Sequence, residues 1–142
     1  MGRLGRITDY GLMVLIRMAR APEAWYSARV LAESLALPQP TVGKILKLLH
    51  RGKLVHSQRG ALGGYQLAVH PEELTLSRII TVLEGAYALV ACSSALGGHC
   101  DRMSDCAVAP GLLQVDRKVR GLLEEVSLAT LAHPSLTAAN AA

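Results

Sequence analysis

Three cysteines, Cys92, Cys100 and Cys106, stand at a Cys-x7-Cys-x5-Cys spacing, and the chain has no others. Thiolates are soft donors suited to iron–sulfur clusters and to zinc, and a bound metal favours their deprotonated form. Three are one short of a complete set. Zinc knuckles and ribbons use close Cys-x2-Cys pairs, which are absent here, so the spacing weighs towards an iron–sulfur cluster of 2Fe-2S or 4Fe-4S type. Gly97 and Gly98 let the same loop bring two sulfurs together, which keeps a metal-free thiol switch as the alternative. His99, Asp101 and Asp105 are candidates within the loop for a fourth ligand, and each is otherwise a solvated polar residue.

The rest of the chain must position that loop. At 142 residues it is long enough for one domain with a real core plus an extension. Its 51% hydrophobic content falls in short periodic runs rather than a membrane span. The basic start, Met1 to Arg6, leads into an amphipathic pattern with no signal-peptide core. A cytoplasmic protein without membrane contact is expected, and in a reducing compartment an odd cysteine count points to metal or redox chemistry. The net charge of +4 is unevenly spread: residues 1 to 70 carry ten Lys or Arg against three acids, and residues 71 to 142 carry five against eight. A polyanion-binding surface therefore belongs to the first half.

Residues 8 to 20 recur as one apolar helical face through Leu12, Leu15, Ile16 and Ala19, with Thr8 or Asp9 as the cap. Pro22 ends that helix, and Ser27 caps a second whose inner side is Val30, Leu31 and Leu35. Pro40 suits the first turn of a third helix. There Val42, Ile45, Leu46 and Leu49 form the buried stripe, and Thr41, Lys44, Lys47 and Arg51 the opposite face. Thr, Lys and Arg on one face suit insertion into the major groove of double-stranded DNA; a solvated lysine face would look similar. The next segment favours DNA. Leu54 to Ser57 and Tyr65 to Val69 read as strands around the glycine-rich turn of residues 59 to 64, a hairpin wing with Arg59 at its tip and Tyr65 at its base. A nucleotide-binding loop is excluded because no helix opens after it and no Gly-Lys-Ser/Thr follows.

Thr75 caps a further helix with Leu76, Ile79, Ile80 and Leu83 inward, closed by Gly85. Beyond Pro110, Leu112, Val115, Val119, Leu122 and Val126 step at helix-seam spacing, widened by Leu113 and Leu123. So much apolar helix on a small domain implies a homodimer, with packing back onto the same subunit as the alternative. The expected fold is mainly α with a small β-wing. It divides into a winged helix-turn-helix DNA-binding domain (1–85), a cysteine-rich cluster-binding loop (86–109), a dimerisation helix (110–132) and a flexible tail (133–142). No paired carboxylates or nucleophile–base arrangement can be placed on one site, so an enzyme is not expected.

These residues together resemble the Rrf-type winged-helix regulators. The resemblance is carried by Ile7-Thr8-Asp9-Tyr10-Gly11, by Pro40-Thr41-Val42 with Lys44-Ile45-Leu46-Lys47, and by Arg59-Gly60-x-x-Gly63-Gly64-Tyr65-x-Leu67. Leu37-Pro38, Ile79-Ile80-x-Val82-Leu83-Glu84-Gly85 and Ala91-Cys92-Ser93 look most like the branch that regulates Suf iron–sulfur assembly. The likeness implies a homodimer on a two-fold operator, with three cysteine ligands per cluster; a repressor is expected, with the DNA contacts that the third helix and the wing offer, Thr41, Lys44, Lys47, Arg51, Arg59 and Tyr65. A nitric-oxide- or redox-sensing repressor of the same family is the alternative. The Isc-operon branch has a histidine three residues after its last cysteine, where this chain has Ala109. Asp9 matches the acidic residue that the nitric-oxide-sensing branch supplies from the opposite subunit, so the resemblance adds Asp9 to the candidate metal ligands.

Overall fold

A computed structural model describes residues 4–93, 97 and 100–133. Among the described residues, six helices and a two-stranded antiparallel hairpin follow in the order α1 (Arg6–Ala19), α2 (Ala28–Leu35), α3 (Gln39–Arg51), β1 (Val55–Gln58), β2 (Gly64–Leu67), α4 (Leu76–Glu84), α5 (Ala109–Glu125) and α6 (Leu128–Ala132). The fold is a winged helix-turn-helix, mainly α with a small β-wing. Helices α1 to α4 and the wing enclose one core in which Val14, Leu15, Met18, Leu31, Val42, Ile45, Leu46, Leu49, Leu54 and Ile79 are wholly buried.

Local signals account for most boundaries. Ser27 accepts from the Val30 amide at 3.1 Å and Thr75 from the Arg78 amide at 3.2 Å, each satisfying an N–H that a helix start leaves unpaired. Pro40 sits in the first turn of α3, and Gly85 ends α4 with φ +90°. The start of α1 differs from expectation. Gly5 is the N-cap, so Thr8 and Asp9 lie inside the helix. The Glu84 carboxylate receives the Gly5 amide at 2.7 Å and the buried Thr8 hydroxyl, tying the start of α1 to the end of α4. That cap comes from a residue 79 positions away, which no local pattern announces. Val30, expected inward, is exposed, and Ala32 takes its place in the core.

The strands run one residue later at the start of β1 and shorter at the end of β2 than the alternation predicts, paired Val55 to Leu67 through Gln58 to Gly64. Leu54 is still part of the turn out of α3, its amide bonded to the Leu49 carbonyl at 2.9 Å. A third extended residue completes the wing. Tyr26 and Tyr65 exchange both backbone hydrogen bonds at 2.8 Å, anchoring the hairpin to the segment between α1 and α2. Gly64 has φ +133°, and a Cβ there would lie 2.4 Å from the Tyr26 carbonyl oxygen, so the bridge requires glycine.

The long helix expected over 110–132 is interrupted. Helix α5 stops at Glu125, Val126 is extended, and Ser127 caps α6 by accepting from the Thr130 amide at 3.1 Å. Backbone bonds Leu76 N to Val126 O, 2.8 Å, and Leu128 N to Leu74 O, 2.7 Å, clamp the break to the start of α4. Helix α6 then packs on α1, with Leu128 fully buried in the core that α1 to α4 enclose. Burial of Leu128 and the Ser127 cap outweigh continuation of the helical repeat.

Candidate DNA-binding face and cysteine site

Helix α3 presents two chemically distinct sides. Val42, Ile45, Leu46 and Leu49 are wholly buried, while Lys44, Lys47 and Arg51 are exposed and Thr41 is half-buried. Arg59 is exposed at the wing turn beside Leu62, which is 90% exposed. Tyr65 differs from these. It is half-buried, packed against the core and held through its backbone to Tyr26. The cationic side chains thus lie on α3 and the wing turn, with buried partners fixing the elements that carry them.

The cysteines occupy a different environment. All three are free thiols; Cys92 is 8% exposed, and Cys100 and Cys106 are half-buried. Cys92 lies in a turn closed by the Ser93 amide on the Val90 carbonyl at 3.1 Å. Among the described residues, no three His, Cys, Asp or Glu side chains gather closely enough to hold a metal ion. His99 lies outside the described residues; Asp101 and Asp105 are exposed. Asp9 is exposed in the first turn of α1, beside a cleft it lines with Leu4, Gly5, Arg6 and Tyr10. By chemistry the three soft sulfurs fit an iron–sulfur cluster, although this arrangement of the chain does not bring them together.

One residue beside this loop was not singled out in the sequence. Asp116 of α5 is 1% exposed and accepts from the Leu89 amide at 2.7 Å and from the Ser93 hydroxyl at 2.9 Å. Arg120, one turn on, places Nε 3.1 Å from its Oδ2. Burial pushes the Asp116 carboxyl up, but the Leu89 amide, the Ser93 hydroxyl and the Arg120 guanidinium outweigh it and hold it below the ordinary value. A signal existed: an acid at position 116 falls inside the apolar stripe of α5, with an arginine four residues later.

The other side of α5 remains uncovered. Leu112, Val115 and Leu122 are exposed, Leu122 by 61%. Val119 and Leu123 instead line a cavity of about 390 Å³ between α4, α5 and residues 87 to 89.

The Rrf2 family model, described as an iron-dependent transcriptional regulator, matches residues 4–134. The chain belongs to the Rrf2 family. This is a family of transcriptional regulators, not of enzymes. The HTH-type transcriptional regulator CymR of Bacillus subtilis is 36% identical over 77 residues, 54% of this chain and 56% of CymR. The chain spans about half the length of the first curated relatives it matches. A longer match is to the HTH-type transcriptional regulator NsrR of Geobacillus kaustophilus, 25% identical over 91% of this chain and 88% of the relative. Solved structures extend the likeness over nearly the whole fold. The structure of B. subtilis CymR, the global cysteine regulator, aligns with TM-score 0.75 and 27% identity over 93% of this chain and 97% of its own. T. potens IscR aligns with TM-score 0.71 and 25% identity over 94% and 88%. Among the described residues no helix is long and apolar enough to cross a membrane.

Proposed function

We propose that this member of the Rrf2 family is a cytoplasmic, homodimeric DNA-binding repressor whose operator affinity depends on an iron–sulfur cluster held by Cys92, Cys100 and Cys106, and that it controls iron–sulfur assembly genes. The observation carrying this reading is the juxtaposition within one small fold of an exposed Lys44, Lys47 and Arg51 face with three free thiols. The family's description as iron-dependent supports it. Helix α3 enters the major groove with Thr41, Lys44 and Lys47, while Arg51, Arg59 and Tyr65 place the helix end and wing on the backbone. The exposed Leu112, Val115 and Leu122 row faces the same row of a second copy, which spaces the two α3 helices about one DNA turn, or ~34 Å, apart. Asp9, exposed at the start of α1, is the proposed fourth ligand, supplied across the dimer. A bound cluster would supply a redox-labile anchor drawing the three thiolates together, and a carboxylate corner would leave it open to oxygen or nitric oxide.

The test is composition. Anaerobically purified protein contains iron and sulfide, and Cys92→Ala, Cys100→Ala or Cys106→Ala each abolishes the visible absorption, whereas stoichiometric zinc without sulfide refutes the cluster. Asp9→Ala, compared with Asp105→Ala and His99→Ala, shortens cluster lifetime if Asp9 is the ligand. A second reading, a metal-free thiol or redox switch, draws on the three free thiols and on their dispersal among the described residues. It predicts no iron and an affinity that follows thiol oxidation.

A further inference from the structure

Cys92 sits in a clasp. The backbone three residues before it and the side chain one residue after it bind the same carboxylate: the Leu89 amide donates to Asp116 Oδ1 at 2.7 Å and the Ser93 hydroxyl to Asp116 Oδ2 at 2.9 Å. Between these two points the chain closes a turn through the Ser93 amide and the Val90 carbonyl. Asp116 itself cannot yield without consequence. It is 1% exposed and its Oδ2 also faces Arg120 Nε at 3.1 Å, so displacing it would strand a buried carboxylate.

The surroundings differ in what they permit. Protein interiors normally leave no room for a backbone shift, yet here a cavity of about 390 Å³ lies against Leu89, Asp116, Val119 and Arg120. The clasped segment and α5 can therefore shift relative to α4 without overpacking. Helix α5 also bears the exposed Leu112, Val115 and Leu122 row, and its end is fixed to α4 by the Thr75 hydroxyl on the Glu124 carboxylate at 3.3 Å. Helix α4 in turn packs on α1 and α3.

We propose that Asp116 is a positioning residue that couples the state of the Cys92 sulfur to the placement of α5. This rests on the reading that the cysteines carry the signal, but not on which ligand or modification they take. Pulling Cys92 towards a ligand reorients the turn of residues 90 to 93. The two hydrogen bonds pass that displacement to Asp116, and the ion pair with Arg120 spreads it over a full turn of α5. The apolar row on the other side of the helix moves with it.

Hydrogen exchange over residues 109–125 of the full chain tests this. Protein loaded anaerobically with iron and sulfide is compared with the same protein after chelation. Wild type is expected to change exchange in α5 by about tenfold on loading, and Asp116→Asn, carrying the same iron and sulfide, by less than about twofold. An equal change in Asp116→Asn overturns the proposal. If wild type takes up no iron and sulfide, the cluster reading fails separately, and a second arm decides. With Cys100→Ser and Cys106→Ser in place, N-ethylmaleimide is added to Cys92. A shift in α5 exchange that Asp116→Asn suppresses supports the coupling; an equal shift, or none in either protein, overturns it. Should Asp116→Asn lose helix content by circular dichroism, Ser93→Ala takes its place, removing one bond of the clasp while leaving α5 untouched, with the same two outcomes.

Discussion

The winged-helix half and the cysteine half of this chain are built to opposite standards. Residues 6 to 84, with α6, close one core of wholly buried Leu, Ile, Val and Met side chains, and distant groups such as Glu84 finish its helix ends. The cysteine loop and α5 contribute little to that core. They leave apolar side chains in water, flank a cavity, and hold the buried Asp116 carboxylate with hydrogen bonds and an ion pair rather than packing. The first half is complete in a single chain. The second leaves the Leu112, Val115 and Leu122 row of α5 exposed and its three thiols free. Sensing requires a region whose arrangements lie within a few kcal/mol of each other, whereas reading DNA requires one arrangement.

The largest effect that can break this contrast is in the core. Leu46→Ala should cost ~2–5 kcal/mol in urea unfolding, because a fully buried leucine leaves a cavity behind. A smaller cost would mean that the winged-helix half is as loosely packed as the other. Next is the α5 row. Val115→Glu with Leu122→Glu should convert dimer to monomer in sedimentation while helix content by circular dichroism stays unchanged, since both side chains are exposed in the single chain and their charges would be buried unpaired only in the dimer. Loss of fold together with the dimer would show that α5 is structural core instead.

Asp116→Ala strands the Leu89 amide, the Ser93 hydroxyl and Arg120, at an expected cost of about 1–3 kcal/mol in thermal or urea unfolding. Its folded carboxyl lies below the ordinary value of about 3.9, so its contribution is fully present above that pH and is lost as pH falls through the folded value. Wild type should therefore lose stability on acidification below about pH 4 more steeply than Asp116→Ala. The smallest effect is on the recognition face. Lys47→Ala should leave folding within ~0.5 kcal/mol of wild type and reduce the salt slope of DNA binding by about 1. An unchanged slope would place Lys47 off the duplex.

What was legible in the sequence follows the same division. The stripe Val42, Ile45, Leu46 and Leu49, the caps Ser27 and Thr75 and the stop at Gly85 are local signals, and each element they mark is present. The Glu84 cap and the Tyr26 bridge pair residues far apart in the chain, so periodicity could not reveal them. The break after Glu125 was hidden for a different reason. The apolar repeat runs through Val126 without interruption, and only Ser127 with the burial of Leu128 redirects the chain. The cysteines were conspicuous by spacing, while the acid inside the apolar stripe of α5 marked Asp116 as unusual without naming Leu89 and Ser93, 27 and 23 residues away, as its partners.

In the proposed function, the state of the cysteines sets DNA affinity. Fluorescence anisotropy on the chain's own upstream region, with protein of measured iron and sulfide content before and after chelation at one fixed salt concentration, tests it most directly. The two forms are expected to differ in affinity by about 5–150-fold, the range of ordinary allosteric coupling, and Cys106→Ala to bind as the chelated form does whether or not iron is supplied. Equal affinity of the iron- and sulfide-loaded and chelated proteins would contradict it.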